Sequence, residues 1–153
     1  GTDIPLQDWA LPGEPFRLVA ADVAAADWTA RLPLEAQERA ARFTDPAARA
    51  QGVAIGVDLE SLARKADVEA LGARVFSASE RGWVRAGGRE AFFTLWSQKE
   101  ALLKALGCGW ANGNVVRSTR LEPVAFQEEP ATRVRVWSRR VLDGAYALAA
   151  AVF

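Results

Sequence analysis

The chain of 153 residues has no histidine and no methionine, and a single cysteine. Without imidazole, Ser-His-Asp and Cys-His nucleophile systems are excluded, and zinc is left without its usual nitrogen ligands. Acid–base chemistry must then rest on carboxylates, lysine or metal-bound water. The lack of methionine, even at position 1, leads us to expect a translated protein longer than this chain. The lone Cys108 excludes an internal disulfide framework and fits a reducing, cytoplasmic setting. It stands between two glycines with no histidine to activate it, and reads as a small apolar side chain, not a nucleophile. No apolar run reaches the roughly 20 residues of a membrane-spanning helix, and no signal-peptide layout opens the chain.

An excess of charge of either sign is also missing. Lysine plus arginine and aspartate plus glutamate stand at 19 each, so no global field draws the protein to nucleic acid or to a membrane. No stripe of alternating basic and aromatic residues supports nucleic-acid binding either. The basic side is lopsided, with sixteen arginines against three lysines, and two of those lysines, Lys99 and Lys104, share one short segment. With 50% hydrophobic and 25% charged residues, the chain can build the core of one ordinary domain, or of two very small ones.

The order of patterns predicts an α+β fold rather than the strict strand–helix alternation of a parallel sheet. Prolines punctuate an extended lead-in over 1–14, and residues 16–23 alternate as a first strand. Helices are expected over 25–31 and 35–43, the second opened by Pro33. A strand over 53–60 and a helix over 62–71 follow. Ser77-Ala78-Ser79-Glu80 is a capping box for a further helix to 85, which Gly87-Gly88 should stop. Residues 91–106 form the strongest helical pattern, ended by Gly107 and Gly109. The tail reads as β-rich at 115–116, 121–126, 133–139 and 145–153.

Two segments carry carboxylates in a pattern with chemical content. In the 53–60 strand, Asp58 and Glu60 are two apart and share a face, their backbones roughly 7 Å apart. Gly56 lies on the same face and would leave space for a ligand. Hard oxygen pairs of this kind suit Mg²⁺ with water and substrate phosphate, although an amphipathic strand with a solvated polar face has the same pattern. In Trp96-Ser97-Gln98-Lys99-Glu100-Ala101-Leu102-Leu103-Lys104, a helix puts Glu100 on the stripe of Trp96 and Leu103, with Lys104 one turn on. The competing structural explanations are a Ser97–Glu100 capping box and an ordinary Glu100–Lys104 surface pair.

Together, Gly56-Val57-Asp58-Leu59-Glu60 and the Trp96–Lys104 segment resemble the paired signature of the 4′-phosphopantetheinyl transferase superfamily. Phe76-Ser77-Ala78-Ser79-Glu80 looks like the family's Phe-Ser-x-x-Glu stretch, and Leu106-Gly107-Cys108-Gly109 like its glycine-rich helix exit. The N-terminal strand and the arginine-bearing segment from Leu32 to Phe43 resemble the larger, Sfp-like branch. That resemblance implies two similar α+β halves forming a pseudo-dimer with the site in the cleft between them. Here 1–52 would be an incomplete first half and 53–153 the second. Arg49-Ala50-Gln51-Gly52 runs almost straight into the strand, where the family has a further coenzyme A-gripping segment with a histidine. We therefore expect that segment to be omitted from this chain.

The resemblance also implies an activity: transfer of the phosphopantetheine arm of coenzyme A to a serine of an apo acyl or peptidyl carrier protein. Adenosine 3′,5′-bisphosphate would be released. Asp58, Glu60 and Glu100 would hold Mg²⁺; Lys104 and Lys99 would offset pyrophosphate charge; Arg39, Arg42 and Arg49 would contact the 3′-phosphate of coenzyme A. Glu100 and Lys104 would be the catalytic residues. Arg81, Arg85 and Arg89 are candidates to meet the carrier protein, and the resemblance points to a cytoplasmic monomer. A non-catalytic carrier- or coenzyme-binding module and a Mg²⁺-dependent phosphohydrolase are the alternatives.

Overall fold

A computed structural model describes residues 6–13, 17–21, 54–107, 109–110, 114–130 and 132–152. The helices expected over 25–31 and 35–43, with Arg39, Arg42 and Arg49, lie outside these residues, as does Cys108.

The N-terminal lead-in contributes a strand of its own. β1 (Leu6–Ala10) pairs antiparallel with β2 (Arg17–Ala21), the latter within the segment whose alternation predicts a strand. The expected 53–60 strand is β3 (Ile55–Ser61). No helix begins at Leu62; the chain turns, and α1 (Val68–Val75) starts where Asp67 caps it by accepting from the Ala70 amide at 3.0 Å.

α2 (Ala78–Leu106) opens on the expected capping box: the Ser77 hydroxyl accepts from the Glu80 amide, and Glu80 accepts from the Ser77 amide. The span is two helices joined at a kink, and Gly88 is the joint, with φ 68° and ψ −151°. That region of backbone space is open to glycine and strained for other residues. The helix ends at Gly107 in the left-handed conformation, its amide donating to the Leu103 and Lys104 carbonyls.

Beyond α2 the order is a five-residue helix α3 (Asn114–Ser118), then β4 (Phe126–Glu128), β5 (Arg135–Val141) and β6 (Tyr146–Val152). The β reading of Val115-Val116 is thus corrected: two β-branched residues are too few to hold a strand, and Lys99 binds the Val116 carbonyl within the helical turn. The remaining strands form an antiparallel sheet in the order β3-β6-β5-β4.

The helix crosses one face of this sheet. Opposite Gly56, Asp58 and Glu60 in register stand Ala151, Ala149 and Ala147, and that alanine row is buried against Phe92, Phe93, Leu95, Leu102 and Leu103 of α2. Each such large side chain contributes about 1.5–3 kcal/mol on burial. The opposite face of the sheet presents Trp137, Leu148, Ala150 and Val152 to Leu11. β6 is covered on both sides, which explains its nearly uninterrupted apolar run.

Gly56 sets how near the helix comes. A Cβ there would lie 1.8 Å from the Ala101 carbonyl oxygen and 2.5 Å from the Ala105 amide nitrogen. The space expected to receive a ligand is therefore filled by the helix backbone, and the glycine serves helix–strand contact. Gly56→Ala is expected to force the two elements apart and destabilise the fold by at least about 1–3 kcal/mol, as overpacked cores do. Urea unfolding measures this, and a wild-type midpoint in the variant would contradict the close contact.

Candidate active site

Helix α2 and strand β3 run side by side, and their facing side chains build the site. The Lys104 ammonium donates to Asp58 Oδ1 at 2.8 Å, and the Trp96 indole donates to Glu60 Oε1 at 3.1 Å. Glu60 Oε2 accepts from Arg64 at 3.1 Å, and the Arg64 guanidinium lies 6.0 Å from the centre of the Trp96 ring. Glu100 Oε1 accepts from the Trp110 indole at 2.6 Å. The structure thus brings Asp58, Glu60, Glu100 and Lys104 to one region.

Both competing explanations for the helix pattern fail. Ser97 sits within the helix, its hydroxyl donating to the Thr94 carbonyl, so it caps nothing. Lys104 reaches across to the strand instead of pairing with Glu100 one turn away.

Asp58 is the most perturbed of these groups. Burial pushes its carboxyl from 3.8 up to about 7, and the charges of Glu60 and Glu100 push the same way. The bond and charge of Lys104 oppose the shift without cancelling it, because desolvation of the carboxylate outweighs one half-exposed ammonium. The other Asp58 oxygen, Oδ2, is buried and has no hydrogen-bond partner. A buried acceptor left open in this way costs about 1–3 kcal/mol unless something fills it.

Lys99 belongs to a different structure, and its expected role toward phosphate is corrected. It is fully buried and pairs with the equally buried Glu80 at 3.0 Å. Its other protons go to the carbonyls of Val116 at 2.7 Å and Thr119 at 2.8 Å. Burial pushes the ammonium below the ordinary lysine value, and Glu80 opposes this. Glu80 also accepts from the Leu121 amide at 3.0 Å, so the capping box, the helix and the following loop meet at one ion pair. All three lysine donors are occupied, and none is left for a ligand. Arg89 is similarly engaged: it donates to the carbonyls of Leu62 and Arg64 and lies over the Phe93 ring, fixing the turn after β3.

Trp110 and Arg64 are site residues that no sequence pattern marks. Trp110 stands ten positions past Glu100, beyond the end of its helix, and Arg64 lies where a helix was expected. Only the chain's return over α2 brings the indole back to the carboxylate.

Against family models, residues 54–151 match the 4′-phosphopantetheinyl transferase superfamily. The chain belongs to that family, whose members act on carrier proteins with coenzyme A. A mixed α/β unit with a four-stranded antiparallel sheet fits a domain of this type. No curated protein and no solved structure matches the chain. Among the described residues no helix is long and apolar enough to cross a membrane.

Members of the family typically use Mg²⁺. Among the described residues no group of three metal-ligating side chains closes around one point. The chemistry nevertheless fits: three neighbouring carboxylates supply hard oxygens, and Asp58 Oδ2 is a buried acceptor without a donor.

Two measurements probe these assignments. Native Asp58 holds its proton more tightly than the unfolded chain does, so its contribution to stability is complete below about pH 4 and is lost as pH rises to about 7. In metal-free buffer, wild type should lose more stability between pH 5 and pH 8 than Asp58→Asn; equal losses by urea titration would contradict the shift. Lys99→Met strands the Glu80 charge and should lower stability by about 3–5 kcal/mol. Unchanged stability with impaired coenzyme A binding would return Lys99 to the ligand set.

Proposed function

We propose that the chain is a Mg²⁺-dependent 4′-phosphopantetheinyl transferase of the Sfp-like branch. It would move the phosphopantetheine arm of coenzyme A to a serine of an apo acyl or peptidyl carrier protein and release adenosine 3′,5′-bisphosphate. The observation that carries this reading is the buried, unpartnered Asp58 Oδ2 beside Glu60, Glu100 and Lys104, within the segment that matches the family.

Such a transfer is chiefly a matter of positioning and charge. Asp58, Glu60 and Glu100 would hold the cation. Bound there, Mg²⁺ supplies Lewis-acid stabilisation of pyrophosphate oxygens. Lys104, half-exposed on its long stem beside Asp58, would offset negative charge on the pyrophosphate. The serine oxygen bonds to phosphorus as the bond to adenosine bisphosphate breaks, and its proton needs an acceptor, a carboxylate or a bound water. Glu100 is our assignment for that acceptor.

The same reading extends beyond these carboxylates and Lys104. Residues 1–52 would belong to a first half facing 53–153 across the coenzyme cleft, with Arg39, Arg42 and Arg49 toward the 3′-phosphate. Exposed Arg85, with Arg81, would face the carrier protein, and the protein would act as a cytoplasmic monomer.

Incubation with Mg²⁺, coenzyme A and an apo carrier domain tests the proposal. A gain of one phosphopantetheine on the carrier serine, read by mass spectrometry, is the expected result. Coenzyme A hydrolysis without carrier would favour a phosphohydrolase, and no turnover a binding module. Glu100→Gln should abolish transfer while far-UV circular dichroism is unchanged; full activity in that variant would sink the assignment.

A further inference from the structure

We propose that Trp96 and Trp110 act as a pair of positioning residues that hold Glu60 and Glu100 ready for the cation. The inference rests on the metal reading above and adds two residues to it, one of them outside the family's paired motifs.

The two indoles lie against each other, ring centres 5.3 Å apart at 30°. Each has one N–H, and each aims it at a different carboxylate: Trp96 at Glu60 Oε1, Trp110 at Glu100 Oε1. An indole donates and cannot accept, so each bond can only orient an oxygen and never competes for a cation as a ligand would. On Glu100 it occupies one oxygen and leaves Oε2 without a hydrogen-bond partner among the described residues, whereas the second oxygen of Glu60 accepts from Arg64 at 3.1 Å and would be shared between that guanidinium and the cation. Bonds of this kind fix the plane of a ligating carboxylate, and removing them typically costs 10–100-fold in metal affinity.

The rings are themselves held. Trp96 is buried and stacks on Phe92 at 5.7 Å and 21°. The Trp110 carbonyl accepts from Arg117 at 2.8 Å, on the short helix whose Val116 carbonyl binds Lys99. The buried Glu80–Lys99 pair is therefore joined to Glu100 twice: along the chain through Lys99 itself, and through space by way of α3 and Trp110.

The test is direct Mn²⁺ and Mg²⁺ binding without coenzyme A or carrier, by electron paramagnetic resonance for Mn²⁺ and calorimetry for Mg²⁺. It would use wild type, Trp110→Phe, Trp96→Phe and Asp58→Asn, with metal-free melting curves for each. Phenylalanine keeps a ring in the stack and removes only the donor. The expected result is about a tenfold or greater loss of metal affinity in Trp110→Phe, with metal-free melting close to wild type. Trp96→Phe carries the same expectation if the first variant does not fold. Unchanged affinity in a folded Phe variant, with binding lost in Asp58→Asn, would overturn the positioning role and leave the proposed function standing. Tighter binding in either Phe variant would show the indole restraining the carboxylate from the cation, and would overturn it as well. A wild type that binds neither ion would remove the metal reading and this one with it.

Discussion

The architecture depends on a close approach between the backbones of one strand and one helix. At Gly56 the strand comes near enough to α2 that a single methyl group would overlap the Ala101 carbonyl. The alanine row of β6 continues the same small-residue surface under the helix. Because the gap is narrow, Asp58, two residues along β3, is buried under α2 with nowhere to turn. Proximity thus explains the site's electrostatics: low hydration raises the carboxyl, and one oxygen remains without a donor. The chemistry of the site follows from packing more than from any single charged residue.

The buried Glu80–Lys99 pair plays a second organising part. Buried ion pairs are weak evidence for stability, since desolvation offsets attraction. Their strength is in specifying geometry when every donor and acceptor is used. Here Glu80 serves the capping box, the loop at Leu121 and Lys99, while Lys99 serves two carbonyls near α3. The start of α2, its middle and the returning chain are registered against one another at a single point, next to the residue that carries a candidate ligand.

Much of this was legible in the sequence, and the physical reasons differ by residue. The strand and long helix were readable because period 2 and period 3.6 are local properties of burial. The Ser77–Glu80 box was readable because its bonds span only three positions. Asp58, Glu60, Glu100 and Lys104 could be grouped by motif, although the Lys104–Asp58 pair, 46 positions apart, could not be seen in helix spacing. The role of Gly56 is not legible there, because spacing cannot say whether empty volume receives a ligand or a backbone. The burial of Lys99 is hidden for the converse reason: a charge on a helix suggests solvent or ligand until its three buried partners are known. Trp110 left no local trace, since its role comes from the return of the chain over α2.

The joint at Gly88 has a consequence for how this protein can vary. Helical phase is not carried through a residue with φ 68° and ψ −151°. The segment before it, with Arg81 and Arg85, and the segment after it, from Ala91 to Lys104, are geometrically separate rods sharing one stretch of chain. Surface changes on the first rod would not rotate Trp96, Glu100 or Lys104. Exposed positions of the first segment, such as Arg85, can therefore vary while the second keeps its chemistry, provided that Glu80 still meets Lys99.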